Sequence, residues 1–250
     1  EAGGKNIRTR SQAIVNDELL IDYPPDTYMH LLTRGLDLTR ISHCLITHSH
    51  GDHLFPMDLA MRRPGYAVVP KGSAFHLYGS DKVMEKLLPL REDPRITDPG
   101  VLAFHEVKAY EPFKVLSYTV TPVPAHHDEG SGPFLYLIDD GQKTLLYAHD
   151  TAYLDEPVWK WLTDHPKHID YISLDCTHQL IPGKLHGGHL GLDTCRVFMD
   201  RMKETGCADP STRVCLNHFS HNGGATYDEL VPLAAECGCL VSYDGMTVEI

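Results

Sequence analysis

Residues 47–53 read Thr47-His48-Ser49-His50-Gly51-Asp52-His53, three histidines and one aspartate directly after the apolar run Cys44-Leu45-Ile46. The run reads as the end of a buried strand, which puts the cluster on the loop that leaves it, where rigid scaffolds present reactive groups. Imidazole and carboxylate together are the donor set of zinc, iron and manganese. His48 and His50 alternate, so an extended backbone turns both rings to one side. A turn at Gly51 aims Asp52 and His53 at a second point. One short loop can therefore supply two ligands to each of two metals.

Three further apolar strands end in the same chemistry. Val120 to Pro124 runs into Ala125-His126-His127-Asp128, Leu145 to Ala148 into His149-Asp150-Thr151, and Val214 to Leu216 into Asn217-His218-Phe219-Ser220-His221. A single histidine at a strand end is ordinarily a hydrogen-bonded structural residue. Three such ends beside the seven-residue cluster favour ligands.

The surrounding pattern is β-rich with interspersed helices, in two similar halves. Ser11 to Asp22 is expected as a hairpin turning at Asn16-Asp17, and Thr27 to Thr33 as a short helix. Ile41 to Thr47 is the strand feeding the cluster. Leu54 to Arg63 reads as a helix, Tyr66 to Val69 as a strand, and Gly79 to Leu90 as a helix capped by Ser80; residues 91–100 read as a loop. Strands follow at Ala103 to Val107, Val115 to Val123, Phe134 to Ile138 and Thr144 to Ala148, with Asp139-Asp140-Gly141 as a hairpin turn. Pro157 to Asp164, Asp193 to Glu204 and Tyr227 to Glu236 read as helices, and Tyr171 to Leu174 and Val214 to Leu216 as strands. Leu240 to Ile250 is expected to close the chain as a hairpin turned at Asp244-Gly245. No linker or low-complexity tract interrupts the 250 residues, so one domain over 1–250, built from two sheets with helices outside, is expected.

Composition narrows the function. No apolar stretch is long enough to span a membrane, and no basic start followed by an apolar segment resembles a secretory signal. A formal charge of −12 disfavours a general nucleic-acid binder. Seven cysteines without a C-x-x-C pair fit reduced, buried thiols in a cytoplasmic protein.

The heptad and the later strand ends resemble the metallo-β-lactamase fold superfamily, from about Ile14 to the C-terminus. The fold this implies is α/β, a four-layer αββα sandwich with a two-metal site. Several stretches resemble the branch containing the cyclic-phosphate phosphodiesterase of the carbon–phosphorus lyase pathway: Arg8-Thr9-Arg10-Ser11-Gln12-Ala13, Leu20-Ile21-Asp22, Pro25-Asp26-Thr27, Leu77-Tyr78-Gly79-Ser80, Asn217-His218-Phe219-Ser220-His221 and Tyr243-Asp244-Gly245-Met246. The resemblance implies that His48, His50 and His127 hold one metal, that Asp52, His53 and His218 hold the other, and that Asp150 bridges them. His127 is preferred to His126 for its distance to Phe134-Leu135-Tyr136, and His218 to His221 because it comes first off the strand. His221 falls where this branch can hold a structural zinc together with N-terminal cysteines, none of which precedes Cys44 here. The resemblance also implies a first strand and glycine-rich turn before the Ser11 hairpin, so the chain is expected to lack or alter that strand.

Two divalent ions, zinc or manganese with iron also compatible, lower the pKa of a water held between them and clamp a developing oxyanion. Asp52 can orient that water as well as ligate. His189, in Lys184-Leu185-His186-Gly187-Gly188-His189-Leu190-Gly191, resembles the histidine this branch places near the phosphate, and is the expected general acid or phosphate ligand, with His186 as a weaker candidate. Asp175 and His178 are expected to orient ligating imidazoles. The function implied is hydrolysis of a small, cyclic or linear, phosphodiester. Thioester or lactam hydrolysis uses the same water. An RNA-processing nuclease shares His-Phe-Ser, and a non-catalytic metal-binding protein is the remaining alternative. The expected partner is a small phosphoester; assembly as a homo-oligomer is compatible with the sequence.

Overall fold

Hydrogen-bonding period and turn chemistry sort the chain into two sheets, each with its own core. The computed structural model describes residues 2–250. These divide into two compact units, residues 10–108 with 130–132, and residues 2–9, 109–129 and 133–250.

The first unit is built on a five-stranded sheet in sequential order, β1 (Ala13–Val15), β2 (Leu19–Ile21), β3 (His43–Leu45), β4 (Phe75–Gly79) and β5 (Leu102–Glu106). β1 and β2 are antiparallel; the remaining pairs are parallel. Asn16 and Asp17 both adopt positive φ, 49° and 58°, the mirror-image turn whose twist matches a tight hairpin. α1 spans Thr27–Thr33, as the sequence predicts. One sheet face packs Leu20, Cys44, Phe75, Leu77 and Leu102 against α2 (Pro56–Leu59), α3 (Asp81–Lys86), α4 (Leu88–Arg91) and α5 (Pro94–Thr97). Ser80 caps α3, its side chain accepting from Val83 N.

The second unit carries a seven-stranded sheet from β6 (Phe113–Val115), β7 (Tyr118–Pro124), β8 (Phe134–Asp139), β9 (Thr144–Ala148), β10 (Tyr171–Asp175), β11 (Arg213–Asn217) and β12 (Cys239–Val241), in the order β12-β11-β10-β9-β8-β7-β6. Strands β9 to β12 are parallel, and β6 to β9 alternate in direction. Two reversals restore the sense of β9 in β7. The carboxyl ends of β7, β9, β10 and β11 therefore lie along one sheet edge, the place where α/β sheets present ligand-binding loops. α6 (Glu156–Asp164), α7 (Leu192–Glu204) and α8 (Tyr227–Ala235) bury Trp159, Phe198, Met202 and Leu230 in this unit's core. Trp159 and Phe198 meet edge to face at 5.1 Å.

Six segments depart from expectation. Residues 91–100, expected as a loop, hold the end of α4 and the whole of α5, whose first turn Asp93 caps by accepting from Arg95 N. Tyr66 to Val69 is not a strand: Val68 is wholly exposed and Tyr66 largely so, and the next sheet strand is instead β4, where Phe75 and Leu77 alternate inward. The helix expected over Gly79 to Leu90 breaks at Leu87, because Pro89 stands at the start of α4 and cannot donate backward. Leu54 to Arg63 is reduced to α2 and a 3₁₀ turn over Ala60–Arg62, ahead of Pro64. Val115 to Val123 is two strands, turned at Leu116 with φ 52°. The final hairpin reduces to β12 alone among the described residues: the Asp244 carboxylate accepts from Thr9 N and Oγ1 at 3.0 and 2.7 Å instead of turning a second strand. No strand precedes β1 among the described residues.

Candidate metal centre

In the first unit the heptad is organised by Asp22, which closes the apolar strand β2 at φ 64°. Its Oδ1 accepts from Thr47 N and Oγ1 at 2.8 and 2.9 Å, and its Oδ2 accepts from His53 Nδ1 at 2.6 Å. One fully buried carboxylate thus ties the first and last residues of the heptad together. Because a carboxylate only accepts, Nδ1 carries the proton of neutral His53, and Nε2 carries the lone pair. Between these anchors His53 N and Leu54 N donate to His50 O at 3.2 and 2.9 Å, the turn that follows Gly51. The His48 ring lies 4.6 Å from His50 and 4.3 Å from His53. Asp52, half exposed, stands 3.9 Å from His53 Nε2. Lys86 donates to Ser49 O at 2.5 Å. Burial lowers its pKa while the Asp52 carboxylate raises it. Burial, then Asp22, push the Cys44 thiol well above its ordinary value, which leaves it an inert core side chain.

In the second unit the strand-end residues converge on Asp150, which is buried and left-handed at φ 52°. His218 Nε2 lies 2.8 Å from Asp150 Oδ1, and His127 Nε2 lies 3.7 Å from Oδ2. His127 faces Oδ2, while Oδ1 is faced by His218 and, at 3.8 Å, by His189 Nδ1. The His127 and His218 rings are held from behind: His127 Nδ1 donates to Gly188 O at 3.0 Å, and His218 Nδ1 lies 2.7 Å from Thr177 Oγ1. Gly188 is at φ 83°, a conformation that favours glycine and turns its carbonyl to the ring. His218 itself sits at φ 60°. Left-handed non-glycine residues cost of order 1–3 kcal/mol each and concentrate at functional sites.

Buried Asp175 is the second organiser. Its Oδ1 accepts from Thr177 N and Leu190 N at 2.9 and 3.1 Å, and its Oδ2 accepts from His189 Nδ1 at 2.9 Å. The His189 ring stacks on His218 at 5.7 Å. Asp150, Asp175, His189 and His218 bring one donor atom each within 4.8 Å of one another. His178 touches His189 edge-on at 5.8 Å.

The other histidines lie elsewhere. His126 Nδ1 pairs with Asp155 at 3.0 Å, and His186 packs on His126. His149 Nε2 meets Ser173 Oγ at 2.7 Å, with its ring against Tyr147. His221 opens an exposed 3₁₀ turn. Sequence reasoning missed Asp22 and Thr177 as organisers. Asp22 carried the signal, since it ends an all-apolar strand as Asp150 does.

The pattern of the beta-lactamase superfamily domain matches residues 18–219. The chain belongs to that family. Its members are typically metal-dependent hydrolases, and the histidine–aspartate donors in each unit are of the kind that hold divalent ions. Solved structures agree on the metallo-β-lactamase fold, a mixed α/β arrangement of two sheets with helices, as the sequence predicts. The fold protein YhfI from Bacillus subtilis is 17% identical, with TM-score 0.71 over 95% of this chain and 91% of that one. A diphosphatase from the PhnP family is 21% identical, with TM-score 0.67 over 94% and 80%. The short form of human tRNase Z is 18% identical, with TM-score 0.64 over 97% and 93%. No curated protein sequence matches the chain. No helix among the described residues is long and apolar enough to cross a membrane.

Proposed function

We propose that the chain is a two-metal phosphodiesterase acting on a small phosphodiester, cyclic ones included. The proposed donors are His48, His50, Asp52 and His53 in one unit and His127, Asp150 and His218 in the other. The observation that carries this reading is Asp150, whose two oxygens lie 2.8 and 3.7 Å from the Nε2 atoms of His218 and His127, so that its carboxylate would be the donor the two ions have in common.

The donor chemistry fits. His53 and His127 each donate Nδ1–H to an oxygen that can only accept, which leaves Nε2 as a ligating lone pair. An all-nitrogen-and-oxygen set without thiolate suits zinc or manganese. Divalent ions bound there supply an activated water and neutralise charge on a phosphoryl oxygen. Asp52 is proposed to orient the water. Asp175 fixes the proton of His189 on Nδ1, so the proton delivered to the leaving alkoxide is the one on Nε2 of the imidazolium. A small substrate suits the formal charge of −12, which offers no general grip on a polyanion. Seven free cysteines support residence in a reducing compartment, the cytoplasm.

The test is metal analysis of the purified protein joined to turnover of bis(p-nitrophenyl) phosphate and of an acyl thioester. At least two divalent ions per chain with phosphodiester turnover are expected. Hydrolysis of the thioester alone would overturn the reading.

A further inference from the structure

A second group of metal-ligand chemistry stands apart from Asp150. His126, Asp155 and His186 each bring one donor atom within 4.8 Å of the other two. They come from three separate segments: the end of β7, the residue that precedes α6, and the glycine-rich loop 184–191 before α7. His126 Nδ1 lies 3.0 Å from Asp155 Oδ1, and the His126 and His186 rings meet edge to face at 5.0 Å. Asp155 and His186 are exposed, so a hydrated cation reaches them directly. Two imidazoles, one carboxylate and a water complete a tetrahedral zinc shell.

We propose that His126, Asp155 and His186 form an additional divalent-metal site, best suited to zinc, whose occupancy fixes the loop that carries His189. The loop's ties gather at its two ends: Leu185 O accepts from Tyr153 N at 2.8 Å, Gly188 O accepts from His127 Nδ1 at 3.0 Å, Asp175 holds His189 and Leu190, and Leu190 O accepts from His178 N at 3.0 Å. His186 stands three residues before His189. A cation bound to His126 and Asp155 therefore adds a tie to the middle of the loop. Zinc binding at His126, Asp155 and His186 is read without turnover, so this site stands or falls independently of phosphodiester hydrolysis.

The experiment is equilibrium dialysis of the full chain against zinc, comparing wild type with His186→Ala and Asp155→Asn. Both substituted side chains are exposed, and thermal unfolding checks that each variant is folded. Wild type is expected to bind one zinc more per chain than either variant at saturation. Amide hydrogen exchange across residues 184–191 is expected to slow several-fold as that last zinc binds in wild type, with no such change in the variants. Equal zinc stoichiometry in the three folded proteins overturns the site. An added zinc that leaves loop exchange unchanged overturns its effect on the loop.

Discussion

Asp22 Oδ2 accepts from His53 Nδ1 at 2.6 Å, with both side chains fully buried. The pair fixes the ring's orientation and keeps its lone pair on Nε2. Removing such a partner from a ligating histidine typically costs 10–100-fold in metal affinity or activity. Asp22→Asn is expected to lower metal affinity by about that factor, because an amide can donate to Nδ1 and so favour the opposite tautomer. Metal titration of the apoprotein against a competing chelator measures it. Unchanged affinity would mean that His53 is not a ligand.

The His189–Asp175 pair yields a prediction about leaving groups. General acid catalysis contributes roughly 10²–10⁴-fold when the leaving oxygen is basic, and little when it is not. His189→Ala should therefore slow an alkyl phosphodiester by about that factor while affecting bis(p-nitrophenyl) phosphate far less. The ratio of the two kcat values reads the role directly. Equal losses on both substrates would assign His189 to binding rather than proton transfer.

The fold class was legible in the sequence, and the candidate donors stood out there for a physical reason. Candidate metal donors are local in sequence: the heptad and the ends of β7, β9 and β11 stand out through residue type after an apolar run. Short apolar runs found β9 and β10 within a residue. They failed where exposure rather than pattern decides, as at Val68, and where a turn such as Leu116-Ser117 lacks glycine. Asp22 stands out at the end of an apolar strand, but which residue it orients could not be read, because that hydrogen-bond partner lies 31 positions away. The same holds for Thr177, whose hydroxyl meets a ring 41 positions on.

Three histidines on the five-stranded sheet set a pH dependence of stability. His43 stacks on His76 at 4.6 Å, His76 stacks on His105 at 5.2 Å, and His76 Nδ1 meets His105 Nε2 at 2.9 Å. Burial lowers the pKa of all three below 6.5, and mutual repulsion adds to it at His43 and His105. Below 6.5 the unfolded chain then binds more protons than the folded one, so stability rises with pH through this window and is lost as pH falls. Thermal midpoints from pH 8 to pH 5 should fall more steeply for wild type than for His76→Gln. Parallel curves would remove the ladder as the cause.

Asp150 gives the sharpest separation of function from stability. At φ 52° its backbone is left-handed, which glycine adopts freely and alanine does not. Away from such positions, Gly for Ala costs roughly 0.5–1 kcal/mol. Here the order should invert. Both Asp150→Gly and Asp150→Ala lose the carboxylate that faces His127 and His218, so both should lose bound metal and activity. As apoproteins, however, the glycine variant should be the more stable by about 1 kcal/mol, since alanine must pay the left-handed penalty of roughly 1–2 kcal/mol. Urea unfolding of the two variants measures this difference without reference to any substrate. If the alanine variant is the more stable, the left-handed conformation at Asp150 is wrong. If either variant keeps its metal and its turnover, Asp150 is not the shared ligand.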